Sequence, residues 1–259
     1  MILFVFEGRK REPMLFDTMK RLFLREGQSI TCSFNNNIYQ LYQDLQEMED
    51  GADTVSLLRE KNKDKEDSPF SEDTRTSDFS EIYLFFDYDF QNKNLTLGEM
   101  NAQLKELLEL FNDETDNGKL YINYPMIEAI RYTKALPDPD FINYAITLSE
   151  CQEKDFKEIA AEFSDYGNLD YIVLPTHREP TESEINKRKQ NWIYLKEQNV
   201  SKANYICNGE NNIPVDKAEV SQERIFTAEL EKYITPSGSI SILSAFPLFL
   251  HEYLKTEEY

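Results

Sequence analysis

Cysteine is scarce in this chain: 259 residues contain 3, Cys32, Cys151 and Cys207, spaced too widely for a CxxC pair or a zinc knuckle. An odd, sparse set is expected as buried thiols in a reducing compartment. Histidine numbers 2, His177 and His251, and neither falls in an HExxH; His177 reads as a surface-loop residue and His251 as a structural one. Glycine numbers only 8, and no GxxxxGK[ST], GxSxG or GxGxxG in the first βα turn can be found, which removes an intrinsic P-loop ATPase, a hydrolase elbow and a dinucleotide site. Positive charge is short as well, with Lys+Arg 28 against Asp+Glu 48 and a net charge of −20. That balance excludes a broad basic face tracking nucleic acid by charge, so any phosphate chemistry needs a local basic patch or a bound metal. Long apolar runs are missing too. The run from Met1 to Phe6 has no basic start and meets Glu7 too early for a signal peptide, and 244–250 is too short to span a bilayer. The expectation is a soluble cytoplasmic protein with no membrane partner.

What is present is enough apolar material for a core: 40% hydrophobic and 13% aromatic, with Phe 17 and Tyr 15. Ile2 to Phe6 is a continuous apolar run, as a strand buried on both faces requires. Pro13 suits a helix's first turn, Met14, Leu15, Met19, Leu22 and Phe23 recur at helical spacing, and Gly27 is the expected helix end. Ser29 to Phe34 reads as a second strand, Ile38 to about Leu58 as one helix, and Ile82 to Phe86 as a third strand ending in Asp87-Tyr88-Asp89. Leu97 to Phe111 is helical, Leu120 to Ile122 a short strand, and Pro125 is expected to open a further helix. The polar, charged segment 61–80 is expected to be a flexible surface loop.

This alternation predicts an α/β fold with a parallel sheet covered by helices over residues 1–136, with function at the carboxyl ends of the strands. Residues 137–259 are expected to form a mainly α-helical second domain, with helices near 140–163, 181–198, 215–233 and Ser241 to Leu254, and one strand-like patch at Tyr171 to Leu174. Trp192 with Ile193 and Leu195 reads as core or an interface anchor.

Two of the long strands end in acid: Glu7 on the first, Asp87 and Asp89 on the third. In a parallel sheet those ends share an edge, and carboxylates gathered there repel one another unless a cation lies between them. Hard oxygen ligands of this kind suit Mg²⁺ or Mn²⁺, which can activate water and neutralise a phosphodiester. An EF-hand reading of the Asp87 segment fails, because its sixth position is Asn92 and its twelfth Gly98. Arg9, Lys10 and Arg11 form a dense basic cluster beside Glu7; they read as a substrate-phosphate clamp or as a solvated turn offsetting neighbouring acids.

The segment Glu7-Gly8-Arg9-Lys10-Arg11-Glu12-Pro13 resembles the EGxKxEP opening of RloB-like members of the Toprim superfamily, and Asp87-Tyr88-Asp89 resembles that superfamily's DxD. Ile122-Asn123-Tyr124-Pro125-Met126-Ile127-Glu128 is similar to the family's NPxFE segment, with Tyr124 inserted. The resemblance covers about residues 1–135, and Tyr88 departs from the basic residue often found between the two aspartates. It implies a Toprim-like fold and a Mg²⁺-dependent nuclease or related phosphodiester-processing enzyme acting on DNA or RNA in a bacterial phage-defence system. On that basis Glu7 would act as general acid or base or as a metal ligand, and Asp87 and Asp89 would hold Mg²⁺ or Mn²⁺. Glu12 and Glu128 are further metal candidates; Glu12 reads equally as a carboxylate drawn to a helix N-terminus, and for the weaker candidate Glu128 that reading is favoured. Two other classes remain open: a catalytically inactive Toprim-derived regulatory subunit docking a protein partner through its acidic surface, and an acidic decoy imitating nucleic acid.

Overall fold

The computed structural model describes residues 1–24, 29–48, 53–65, 68–90 and 92–254. The expected helix end at Gly27 lies outside them. Strands β1 (Ile2–Phe6), β2 (Ser29–Ser33), β3 (Glu81–Asp87), β4 (Asn112–Asp113) and β5 (Gly118–Asn123) form one sheet in the order β2-β1-β3-β5-β4. All pairings are parallel except the two-residue edge strand β4, which runs antiparallel to β5. The expected α/β class and mostly parallel sheet are therefore present. Chain order reverses direction at β1, with β2 on one side and β3 on the other, and this is the crevice where open α/β sheets place their ligands.

Alternation along the strands explains how the sheet is covered. Phe4 and Phe6 of β1 lie beside Tyr83 and Phe85 of β3 in register, and Tyr121 follows on β5. Their rings meet Phe16 of α1 (Arg11–Phe23) and Phe246 and Phe249 of the last helix, α10 (Ala245–Tyr253), with Phe85 and Phe246 stacked at 4.7 Å. The alternate residues Leu3, Val5, Leu84, Phe86, Leu120 and Ile122 are equally buried, so both faces are covered, as a parallel sheet demands.

The helix expected over 38–58 is two helices, α2 (Ile38–Gln46) and α3 (Thr54–Asn62). Asp53 begins the second by accepting from the amides of Val55 and Ser56, an N-cap that apolar periodicity alone passes over. Segment 61–80 is tied down over its described residues. Lys61 and Asn62 still belong to α3, Arg59 donates to the carbonyls of Glu72 and Thr74, Thr76 Oγ1 donates to Asp53, and Phe70 and Phe79 are buried. Helix α4 (Leu97–Leu110) forms as expected behind a Thr96/Glu99 capping box. Pro125 does not open an α-helix; Ile127–Arg131 is a 3-10 turn.

Beyond residue 136 the expected helix over 140–163 is broken. A 3-10 turn (Phe141–Asn143) leads into strand β6 (Ala145–Thr147), then α5 (Leu148–Glu153) and α6 (Phe156–Phe163), each capped by its own Thr147 or Asp155. Tyr171 to Leu174 forms no strand. Helix α7 (Glu182–Asn208) outruns its expected end at 198 and stops at Gly209, whose φ of 81° is a left-handed cap. The buried polar residues Lys196, Asn199, Lys202 and Asn204 along it interrupt the apolar pattern by which its length would be read. The helix expected over 215–233 is a 3-10 turn (Lys217–Val220), then α8 (Gln222–Glu229) and a π-turn at 230–234. Helix α9 (Thr235–Ser237) follows, then β7 (Ser239–Ser241), antiparallel to β6, and α10 (Ala245–Tyr253). Glu229, 0% exposed, accepts from the amide and hydroxyl of Ser241 and lies near the buried Lys202, which donates to the Tyr144 carbonyl. No helix among the described residues is long and apolar enough to cross a membrane.

A candidate carboxylate centre at the β1/β3 edge

In-register parallel pairing decides the geometry. Because Phe6 pairs with Phe85 and the Glu7 amide bonds the Phe85 carbonyl at 3.0 Å, Glu7 and Asp87 leave neighbouring strands at the same edge. The Glu7 carboxylate accepts the Asp87 amide at 3.0 Å, which brings residues 80 positions apart into contact. Asp87 is 5% exposed; its carboxylate accepts Asn123 Nδ2 at 3.0 Å and a backbone bond from Ile127. Asn123 is held in turn by the Ala245 amide at 2.9 Å and by Ser244 Oγ, so the start of α10 fixes the residue that fixes Asp87.

Tyr88 separates the two aspartates by pointing into the core. It is fully buried, and its hydroxyl donates to Asn101 of α4, while its carbonyl accepts the Tyr39 hydroxyl. Asp89 then turns back with φ of 48°, and its amide bonds the Pro125 carbonyl at 3.0 Å. A second left-handed non-glycine residue, Asn35 (φ 64°), lies on the other side of the crevice, where its amide bonds the Glu7 carbonyl. Both are residue types that tolerate this conformation. Glu12, in the first turn of α1, is buried and accepts the Gly8 amide at 3.0 Å. A Cβ at Gly8 would sit 3.0 Å from the Glu12 carboxylate, so glycine there permits the close approach.

The electrostatics are those of unneutralised acids. Burial first, then the charge of Asp87 with smaller contributions from Asp89 and Glu12, pushes the Glu7 carboxyl well above its usual range. Burial and Glu12 push Asp87 up to about 8, against the opposing bonds from Ile127 and Asn123. Burial and Asp155 bring Asp89 to about 6. Glu7, Asp87 and Asp89 thus lie at one edge, as the strand-end reading expects, and Glu12 of α1 joins them. Among the described residues no three His, Cys, Asp or Glu side chains are gathered tightly enough to cage an ion between them. The donor set nevertheless fits a hard divalent cation, since it is all oxygen, desolvated, and its members repel one another.

The other candidates separate. Glu128, 3% exposed, is ion-paired with Arg11 and faces the centre through that guanidinium. Arg9 is exposed and bonds Asn35, and Lys10 is exposed at the start of α1; the three basic residues do not form one clamp. His177 is exposed, and Trp192 is buried with its ring nitrogen donating to the Ile172 carbonyl. Sequence reasoning missed Asn123, Asn35 and Arg131. Asn123 carried a usable signal, since it ends β5 in line with Asp87. A cleft of about 620 Å³ is lined by Phe90, Leu97 and Met100 together with Leu148, Cys151 and Asp155, and by none of the four converging carboxylates. Compared with protein-family models, curated proteins and solved structures, the chain matches none.

Proposed function

We propose that the β1/β3 edge is the divalent-cation centre of a phosphodiester-processing enzyme, a Toprim-type nuclease acting on DNA or RNA, as the EGxKxEP-like and DxD segments imply. The observation that carries this reading is the convergence of Glu7, Asp87, Asp89 and Glu12 at the crevice of a parallel sheet, with Glu7, Asp87 and Asp89 all pushed toward their protonated forms. Asp87 and Asp89 would hold Mg²⁺ or Mn²⁺, with Glu7 as a further ligand or proton carrier. When bound, such an ion neutralises charge on the phosphodiester and lowers the pKa of a coordinated water.

The chain's own residues supply the rest. Glu7 is partly exposed yet holds its proton far more tightly than a free carboxyl, which suits it to deliver a proton to a leaving oxygen. Asn123 and the Ile127 amide orient Asp87, and Tyr88 locks the spacing between the aspartates.

The test is incubation of the full chain with single- and double-stranded DNA and RNA in Mg²⁺ or Mn²⁺, alongside Asp87→Asn. Cleavage by the wild type and a loss of at least about 100-fold in the variant are expected, the scale on which removing a charge-stabilising group acts. Absence of cleavage on every substrate with both ions would sink the nuclease reading.

A further inference from the structure

Next to the carboxylates lies a group of charges that the reading above leaves unused. Glu128 gives one oxygen to Arg11, while its other oxygen is buried with no hydrogen-bond partner. Arg131 closes the same 3-10 turn; its Nε is buried without an acceptor, and no ion pair among the described residues includes it. The two arginines flank one carboxylate, Arg11 through its ion pair and Arg131 three residues along the same turn. Glu128 engages Arg11 and leaves Arg131 without an ion-pair partner among the described residues, in a chain whose net charge is −20.

A guanidinium with an unfilled buried donor, three residues from a carboxylate that a second guanidinium already engages, is an arrangement that an anion completes. The planar guanidinium fork matches phosphate oxygens in a bidentate way, which a lysine cannot do. We propose that Arg11 and Arg131 form the anion subsite of this centre, taking a phosphate of the substrate backbone, with Glu128 standing in for that phosphate on Arg11 in the free protein. The inference rests on reading the carboxylates as a phosphodiester-processing centre. It assigns Arg131 a binding role and Glu128 a competing one; Glu128 then lies outside the cation's ligand set.

The experiment measures binding of a fluorescein-labelled 12-nucleotide DNA, and of the RNA of the same sequence, to the full chain by anisotropy in Ca²⁺, across a salt series. Arg131→Gln should weaken binding about tenfold, the usual scale for a lost charge-assisted bond. It should also flatten the dependence of log affinity on log salt by about 0.7, the amount expected for one phosphate contact on a single strand. Arg131→Lys, which keeps the charge but not the fork, should fall between the two. Glu128→Gln should tighten binding several-fold by releasing Arg11, and Lys10→Gln should change it less than twofold. Wild-type affinity and salt slope in Arg131→Gln, weaker binding in Glu128→Gln, or no binding by the wild type would each overturn the proposal. Mn²⁺ uptake, followed by electron paramagnetic resonance in the wild type and Asp87→Asn, keeps the two readings apart. Uptake that depends on Asp87 upholds the cation centre even if Arg131 proves silent, and its absence removes that centre even if Arg131 binds the oligonucleotide.

Discussion

Two of the places where this molecule buries carboxylates solve the same problem in opposite ways. Glu229 is fully buried but accepts two bonds from Ser241, with Lys202 near enough to oppose its rise. Burial pushes Glu229 up and Lys202 down, and each offsets the other. At the β1/β3 edge, burial and the charges of Asp87, Asp89 and Glu12 push Glu7 up, burial and the charges of Glu12 and Asp89 push Asp87 up, and Arg11 is drawn to Glu12 and Asp87. Matched burial of that kind is a structural device whose loss unfolds the protein. Unmatched burial is strain held in place by the surrounding fold, and it is the kind that marks a site awaiting a ligand.

The largest expected effect breaks the matched region. Glu229→Ala leaves the buried Ser241 amide and hydroxyl without their acceptor and should cost about 2–4 kcal/mol in chemical denaturation at pH 7; a loss under about 1 kcal/mol would erase the contrast. His251 extends the comparison to a buried base. Both ring nitrogens lack partners, and burial, then Lys217 and Lys196, lower its pKa to about 4 while Glu252 opposes them weakly. A depressed folded-state pKa means stability that is complete above about pH 6.5 and falls as pH drops toward 4, by at most about 3 kcal/mol. His251→Leu should flatten that slope in melts recorded from pH 7 to 4.

The unmatched region should respond with the opposite sign. The raised pKa of Asp87 contributes stability that is present below about pH 4 and lost as pH rises through 8. Asp87→Asn should therefore stabilise the cation-free protein at pH 8 by about 1–3 kcal/mol, the worth of one or two pKa units. Added Mn²⁺ at 100 times its dissociation constant should raise the wild-type melting temperature by about 5–10 °C. The rise should be larger at pH 8 than at pH 6, because Asp87 and Asp89 must release protons to bind, and it should vanish in Asp87→Asn. Smallest of all, Lys10→Ala should leave stability within about 0.5 kcal/mol, as befits an exposed residue outside both regions.

The strand-end acids were legible because a buried parallel strand is a continuous apolar run and its end is marked by the first charge, at Glu7 and again at Asp87. Their convergence followed from the parallel alternation alone. The break between α2 and α3 is not legible in the apolar pattern, because Leu41, Leu45, Val55 and Leu58 keep a helical rhythm across it. Arg11 and Glu128 were each singled out, yet their pairing joins residues 117 apart, and no local pattern encodes that. Arg131 offered no signal beyond its charge, and the helices past residue 136 were blurred by caps at Thr147 and Asp155 that cut short apolar stretches into separate turns.

The bond from the Ala245 amide to Asn123 also sets a schedule. The sheet strands leave the ribosome early, but Asn123, and through it Asp87, lacks its anchor until a residue 122 positions later has been made. At about 5–20 residues per second that is a wait on the order of ten seconds. During it the acids sit on a sheet whose aromatic face still lacks Phe246 and Phe249. Asp87 is therefore held in its final orientation only once the last helix has been made.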